Sequence, residues 1–321
     1  MFKNKSILIT GGTGSFGHAF VSKLLKSKYK MNIYILSRDE LKQFEMNNFF
    51  HNDSRLNFIL GDVRDSQRIS SLNIKPNFIV HAAAMKQIVA SEMNPSECIN
   101  TNIIGTQNVL KFSTNLRNCN FLSLSTDKAV NPINLYGATK LSLEKLTLAT
   151  NNLLTSNKYS VLRYGNVIGS RGSVIPFFQS LKKLKKPIPV THKDMTRFWI
   201  TLDQAADLSI NCLKIMNSNE IFIPKLPSFK ILDLAKIFSA NIQFTGIRKG
   251  EKLHEVLIAK EEKRNCYFSK KYKIYIIKQN DVHKTITLNN EKFFKIADNK
   301  LDYDSKINEQ ILSVKDLKKV I

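Results

Sequence analysis

The chain has 321 residues, 43% hydrophobic and 23% charged, which excludes wholesale disorder and suits two domains, or one α/β unit with an appended lobe. Its longest apolar runs, such as 6–10 and 274–277, fall far short of the roughly 20 residues that cross a bilayer, and no leader-like segment opens it, so a soluble, cytoplasmic protein with no membrane insertion is expected. Lys and Arg total 49 against 26 Asp and Glu, a net charge of +23, but the lysines are scattered and carry no nucleic-acid motif, so they read as a solvated surface that attracts an anionic small molecule rather than nucleic acid.

Short β-branched runs alternate with helical stretches through the first half of the chain. Strands are expected at 6–10, 32–37, 56–60, 77–81, 120–125 and 159–163, with amphipathic helices around 16–25, 41–50, 66–72, 95–115 and 135–154. Apolar strands separated by helices predict an α/β protein with a parallel, doubly wound Rossmann sheet. Beyond about residue 163 the pattern turns to a Gly/Ser/Pro-rich loop at 165–176, a basic helix at 177–186 and a β-rich, Lys-rich tail. The reading is a dinucleotide-binding domain at 1–165 and mainly a smaller C-terminal substrate-binding lobe at 166–321, with the chain free to re-cross between them. Cys98, Cys119, Cys212 and Cys266 form no CxxC pair and the six histidines no ligand motif, so free thiols and no metal are expected.

The first strand runs into Gly11-Gly-Thr13-Gly14-Ser15-Phe16-Gly17, a G-x-x-G-x-x-G turn ahead of a helix. Glycines allow the tight turn and the close approach of a pyrophosphate, whose charge then sits at the helix N-terminus. The second strand ends Ser37-Arg38-Asp39-Glu40-Leu41-Lys42. An NAD-preferring site places a carboxylate at this tip; a hydroxyl and two cations suit the 2′-phosphate of NADP instead, unless Arg38 and Lys42 pair with Asp39 or Glu40. Asp62 and Val63, after the third strand, fall where the adenine would lie, and Ala82, after the fourth, is small where the cofactor must pass close to the backbone.

Tyr136 and Lys140 stand at i,i+4 on the fifth helix and face the same way. An ammonium beside a phenol lowers the phenol's pKa, making a base for an alcohol proton during hydride transfer. This is the arrangement of extended short-chain dehydrogenases/reductases. The preceding strand ends Thr126-Asp127-Lys128. Thr126 falls where that family hydrogen-bonds the reacting carbonyl oxygen, and Asp127-Lys128 adds an acid and a base at the mouth of the site, a pair that an elimination needs and a simple reductase or epimerase does not.

Together the blocks STDKAVNPINLYGATK, RYGNVIGSRGSVIPFF, MTRFWIT and GIRKGEKLHE resemble the inverting UDP-N-acetylglucosamine 4,6-dehydratase family, which opens pseudaminic acid synthesis for bacterial surface glycans. The resemblance implies NADP as cofactor, UDP-N-acetylglucosamine as substrate and a homo-oligomer. It implies that Tyr136 with Lys140 oxidises the sugar at C4, Lys128 removes the C5 proton, Asp127 protonates the departing C6 hydroxyl, and C5 is inverted. For this Lys128 must be neutral, through burial or a cationic neighbour such as Lys86. Lys86 would lie near cofactor and sugar; Asn166, Val174, Thr191, Arg197, Arg248 and Glu251 would line the UDP-sugar site; Val167, Ile168, Gly169, Ser170 and Arg171 would close over the nicotinamide. The competing readings are a UDP-sugar 4-epimerase of the same fold and a non-catalytic RNA-binding or assembly module.

Overall fold

A computed structural model describes residues 2–153, 156–278, 283–296 and 303–320. Strands β1 (Lys5–Thr10), β2 (Met31–Ser37), β3 (Leu56–Leu60) and β4 (Phe78–His81) alternate with helices α1 (Ser15–Leu25), α2 (Glu40–Phe49) and α3 (Ser66–Ser70). After α4 (Ile88–Met93) and α5 (Pro95–Ile99) comes a π-helical turn, Asn100–Ile104, then α6 (Gly105–Thr114), β5 (Asn120–Thr126), α7 (Leu135–Ala149) and β6 (Lys158–Tyr164). All six expected strands form within a residue of their predicted ends. The helix expected at 95–115 is one continuous path, but its hydrogen-bond register slips at the π turn, where the Asn102 amide is drawn onto the Met85 carbonyl and the Thr139 hydroxyl, each at 2.9 Å. Leu154, the last residue of the helix expected at 135–154, lies outside the described residues.

The second half runs β7 (Asn166–Ile168), α8 (Val174–Lys183), β8 (Ile188–Val190), β9 (Thr196–Thr201), α9 (Leu202–Ile215), β10 (Glu220–Pro224), β11 (Ser228–Lys230), α10 (Ile231–Phe238), β12 (Ile242–Phe244), β13 (Cys266–Ser269), β14 (Ile274–Lys278), β15 (Thr285–Leu288), β16 (Glu291–Lys295) and α11 (Val314–Val320). Among the described residues the main sheet has the order β15-β16-β13-β14-β10-β6-β5-β4-β1-β2-β3. From β3 to β10 it is parallel; β14, β13, β16 and β15 extend it antiparallel. The parallel part is doubly wound, and the strand order reverses between β1 and β4, the place where such sheets bind ligands beyond their carboxyl ends. Residues after 166 thus divide: β10 and β13–β16 continue the main sheet, while β7, β9 and β11 form a small sheet of their own beside the β8–β12 pair. A separate core of Phe178, Ile188, Trp199, Phe229, Leu234 and Leu317 holds this smaller unit together.

Buried residues on both faces of β1 and β4 explain why these strands read as apolar runs; β5 and β6 are buried likewise but carry Ser123, Ser125, Ser160 and Arg163 among their buried positions. One buried polar network ties the last parallel strand to the turn that precedes β13. Arg163 on β6 makes paired bonds to Glu144 of α7, at 2.9 and 2.6 Å, and to Glu262, at 2.8 and 2.9 Å, with the Leu257 carbonyl at 3.0 Å. All four free cysteines are buried, and no helix among the described residues is long and apolar enough to cross a membrane.

Candidate active site

A cleft of about 900 Å³ opens at the β1/β4 switch point. One wall is the phosphate loop: Gly11, Gly14, Ser15 and Phe16 line the cleft, and the N-terminus of α1 behind them carries no side-chain cap. Gly17 does not line it. A Cβ there would fall 1.8 Å from the Gly12 carbonyl oxygen, so only glycine lets α1 pack this tightly against the turn. Thr13 lies behind the lining and its carbonyl accepts from the Arg171 guanidinium at 2.7 Å, while the Arg171 amide donates to the Ser15 hydroxyl at 3.1 Å. The segment with Val167, Ile168, Gly169 and Ser170 therefore lies against the phosphate loop, and Lys86 reaches the Ser170 hydroxyl at 3.4 Å from the opposite side.

At the tip of β2, Ser37 is buried and accepts a bond from Gln43, and Asp39 caps α2 through the Lys42 amide. The Lys42 ammonium pairs with Asp39, the alternative that the sequence left open. Arg38 pairs instead with Asp62, at 3.5 Å, and its side chain stays 59% exposed. Glu40 and Leu41 lie in the first turn of α2, Leu41 exposed, and buried Val63 packs against Gly105; none of 37–42, 62 or 63 lines the cleft. Ala82, Asn166, Val174, Thr191, Arg197, Arg248 and Glu251 do line it.

The cleft floor is the end of β5 and the start of α7. Thr126, Lys128, Tyr136 and Lys140 face the cleft. Thr126 ends its strand with the hydroxyl donating to Asp127 Oδ1 at 2.9 Å, and Asn134 caps α7 by accepting from the Gly137 amide at 2.8 Å. The Asn134 amide then donates to the Gly250 carbonyl at 2.7 Å, tying α7 to the 246–255 loop.

Three expectations are corrected here. Asp127 is not at the mouth but fully buried beneath the floor; its Oδ1 accepts from Lys128 at 3.1 Å and its Oδ2 has no hydrogen-bond partner among the described residues. Lys128 is not poised neutral. Burial pulls its pKa down, but the charges of Asp127 and Glu255 outweigh burial and hold it above the ordinary lysine range, and the cation opposing them is Arg197, not Lys86. Tyr136 is not lowered by Lys140. Burial pushes the phenol up to about 12, Lys128 pulls it back, and the Lys140 ammonium donates to the Leu124 carbonyl instead, with its own pKa lowered by burial to about 8.

Residues absent from the sequence reading complete the site. Glu255 and Lys252 lie within the GIRKGEKLHE block, but only the fold carries them to Lys128. His81 is buried between the Thr10 and Thr106 hydroxyls, at 2.8 and 3.0 Å, and burial pushes its pKa down to about 3, so the ring is a neutral brace. Asn102 clamps both backbone groups of Met85 and so sets the loop that bears Lys86; no motif spacing marks either residue.

Across its full length the chain is 46% identical to a protein of Campylobacter jejuni subsp. jejuni serotype O:23/36 described as UDP-N-acetylglucosamine 4,6-dehydratase (inverting), of which it covers 98%. It is 43% identical to a Rickettsia rickettsii UDP-glucose 4-epimerase over 82% of this chain and 80% of that protein. Pen from Bacillus thuringiensis superposes with a TM-score of 0.89 at 33% identity over 100% of this chain and 98% of that one. The dTDP-glucose 4,6-dehydratase DesIV of Streptomyces venezuelae, with NAD and TYD bound, has a TM-score of 0.69 at 21% identity over 77% of this chain and 86% of that one, a likeness of fold. Residues 7–279 match the polysaccharide biosynthesis protein family, and to that family this chain belongs.

Proposed function

We propose that the protein is an inverting UDP-N-acetylglucosamine 4,6-dehydratase that uses NADP. The observation that carries this reading is Lys128 on the cleft floor beside Tyr136, paired with Asp127 buried beneath it, because oxidation and reduction alone need no second acid and base. The uncapped N-terminus of α1 and the glycine cradle fit a dinucleotide diphosphate. Exposed Arg38 supports NADP over NAD, with Lys42 contributing only if it leaves Asp39. A bound nicotinamide would accept a hydride at the sugar C4 and return it at C6.

The protein's own groups handle the protons. Tyr136, within reach of Thr126, takes the proton of the C4 hydroxyl; Lys128 as ammonium pulls the phenol toward ionisation. The C4 ketone acidifies the C5 hydrogen. The resting pair holds its proton on Lys128, and its transfer to Asp127 leaves an amine to take the C5 proton and an acid to protonate the C6 oxygen as it departs. Arg248, lining the cleft, is a partner for the UDP diphosphate.

Incubation with UDP-N-acetylglucosamine and catalytic NADP, followed by NMR, tests this. The expected product is a 6-deoxy-4-keto sugar inverted at C5, with no net nicotinamide reduction. A C4 epimer with C6 intact would make the Rickettsia-type epimerase activity the right reading. Calorimetry tests the cofactor: Arg38→Asp should weaken NADP while sparing NAD.

A further inference from the structure

Lys128 meets two carboxylates. Its Nζ lies 3.1 Å from Asp127 Oδ1 and 3.1 Å from Glu255 Oε1, and the two acid side chains are 0% and 2% exposed. Asp127 belongs to the turn of Lys128 itself; Glu255 arrives from the loop after β12. Its backbone is locked there, with its amide donating to the Ser305 hydroxyl at 2.8 Å and its carbonyl accepting from the Ser305 amide at 2.8 Å. Glu255 Oε2 accepts no hydrogen bond among the described residues; Lys252 Nζ stands 3.9 Å from it, and Arg197 Nε 3.9 Å from Oε1. A buried carboxylate with an unpartnered oxygen is an expensive way to fill space.

We propose that Glu255 is a positioning residue for the elimination, anchoring the Lys128 ammonium at the cleft floor and setting, as a second negative charge, how readily that nitrogen releases its proton. This rests on the reading of Lys128 as the C5 base. One proton passes from Nζ to Asp127 Oδ1, leaving a neutral amine and a carboxylic acid. The amine takes the C5 proton, the C5–H electron pair forms the C5–C6 double bond, and the C6–O bond breaks as Asp127 gives its proton to the departing hydroxyl, which leaves as water. Ammonium and carboxylate are thereby restored. Glu255 exchanges no proton in this cycle, and its negative charge opposes the first transfer, since it attracts the ammonium but not the amine. The other groups facing Lys128 are Arg197 from β9, Lys252 from the same loop as Glu255, and Tyr136 from α7; Glu251 is engaged by Arg197 at 3.3 Å.

The test is the pH profile of 6-deoxy product formation, with C5 deuterium incorporation from solvent measured in parallel on the full-length protein with NADP and UDP-N-acetylglucosamine. Product formation needs both acid and base and falls when the pair loses its shared proton; C5 exchange needs the base alone. In Glu255→Gln the alkaline limb of product formation should move down by roughly 1–3 pH units, the usual effect of one adjacent charge, while C5 exchange persists above it. Glu255→Asp, whose charge is withdrawn by one methylene, should shift the limb in the same direction by less, and serves alone if Glu255→Gln does not fold. An unmoved limb in the folded variants, with Lys128→Gln unable to exchange, overturns the role of Glu255 only. Wild-type C5 exchange in Lys128→Gln overturns the assignment of the base itself.

Discussion

Gly137→Ala tests whether the spacing between α7 and the turn that carries Asp127 and Lys128 governs turnover. Gly137 follows Tyr136, and a Cβ there would stand 2.2 Å from the Lys128 carbonyl oxygen and 3.0 Å from Pro132 Cβ. Ordinary contact begins at 3.4 Å, so the turn would have to retreat by about 1.2 Å. Tyr136 is fixed to the helix, and Lys128 rides on the turn, so the retreat separates the two. A misplacement of about 1 Å costs on the order of 10²-fold in rate. Overpacking costs about 1–3 kcal/mol, offset in part by alanine's helix propensity of about 1 kcal/mol over glycine. The variant should therefore fold, bind NADP through an untouched phosphate loop, and turn over about a hundredfold more slowly. Urea midpoints, calorimetry and NMR of product read these separately. Wild-type turnover in a folded Gly137→Ala protein would refute the argument, because the pair would then work at a spacing the cleft floor does not impose.

Lys128→Ala should lose 6-deoxy product by a factor on the order of 10²–10⁴ while transient nicotinamide reduction, slowed by loss of the ammonium that pulls the phenol toward ionisation, is still seen, and Tyr136→Phe should lose even the reduction; stopped-flow absorbance distinguishes them. Because Lys128 is only 15% exposed between two carboxylates, its removal should also lower the urea midpoint, which a surface lysine would not do. Arg163→Ala leaves Glu144 buried without its partner and should destabilise by about 3–5 kcal/mol, seen in chemical denaturation. The Lys140 pKa is lowered in the fold to about 8 from the ordinary 10.5, so between those values the unfolded chain binds more protons and stability must rise with pH. The wild type should gain stability relative to Lys140→Met from about pH 8 to 10; parallel denaturation curves across that window would show that Lys140 keeps an ordinary pKa.

Strand positions in the first half were legible because a strand buried on both faces is largely apolar, as at β1 and β4, and that pattern is local. The phosphate loop was legible for the same reason: the turn, the strand before it and the helix after it are contiguous. Tyr136 and Lys140 could be set on one face by helical spacing, but not their partners. Lys140 has a backbone carbonyl within reach, and a buried ammonium takes the acceptor that lies nearest. At the β2 tip the sequence offered two pairings for Lys42, and the helix cap decided between them, since Asp39 accepts both the Lys42 amide and its ammonium.

Sequence alone therefore determined the doubly wound sheet, the dinucleotide cradle and the residue types on the cleft floor, all properties of neighbours in the chain. Only the tertiary structure decided which charges stand where. Glu255 reaches Lys128, and Glu262 reaches Arg163, across long stretches of chain. Electrostatic interaction depends on distance and burial rather than on sequence separation, so the protonation state of Lys128 belonged to the fold and could not be read from the motif that contains it.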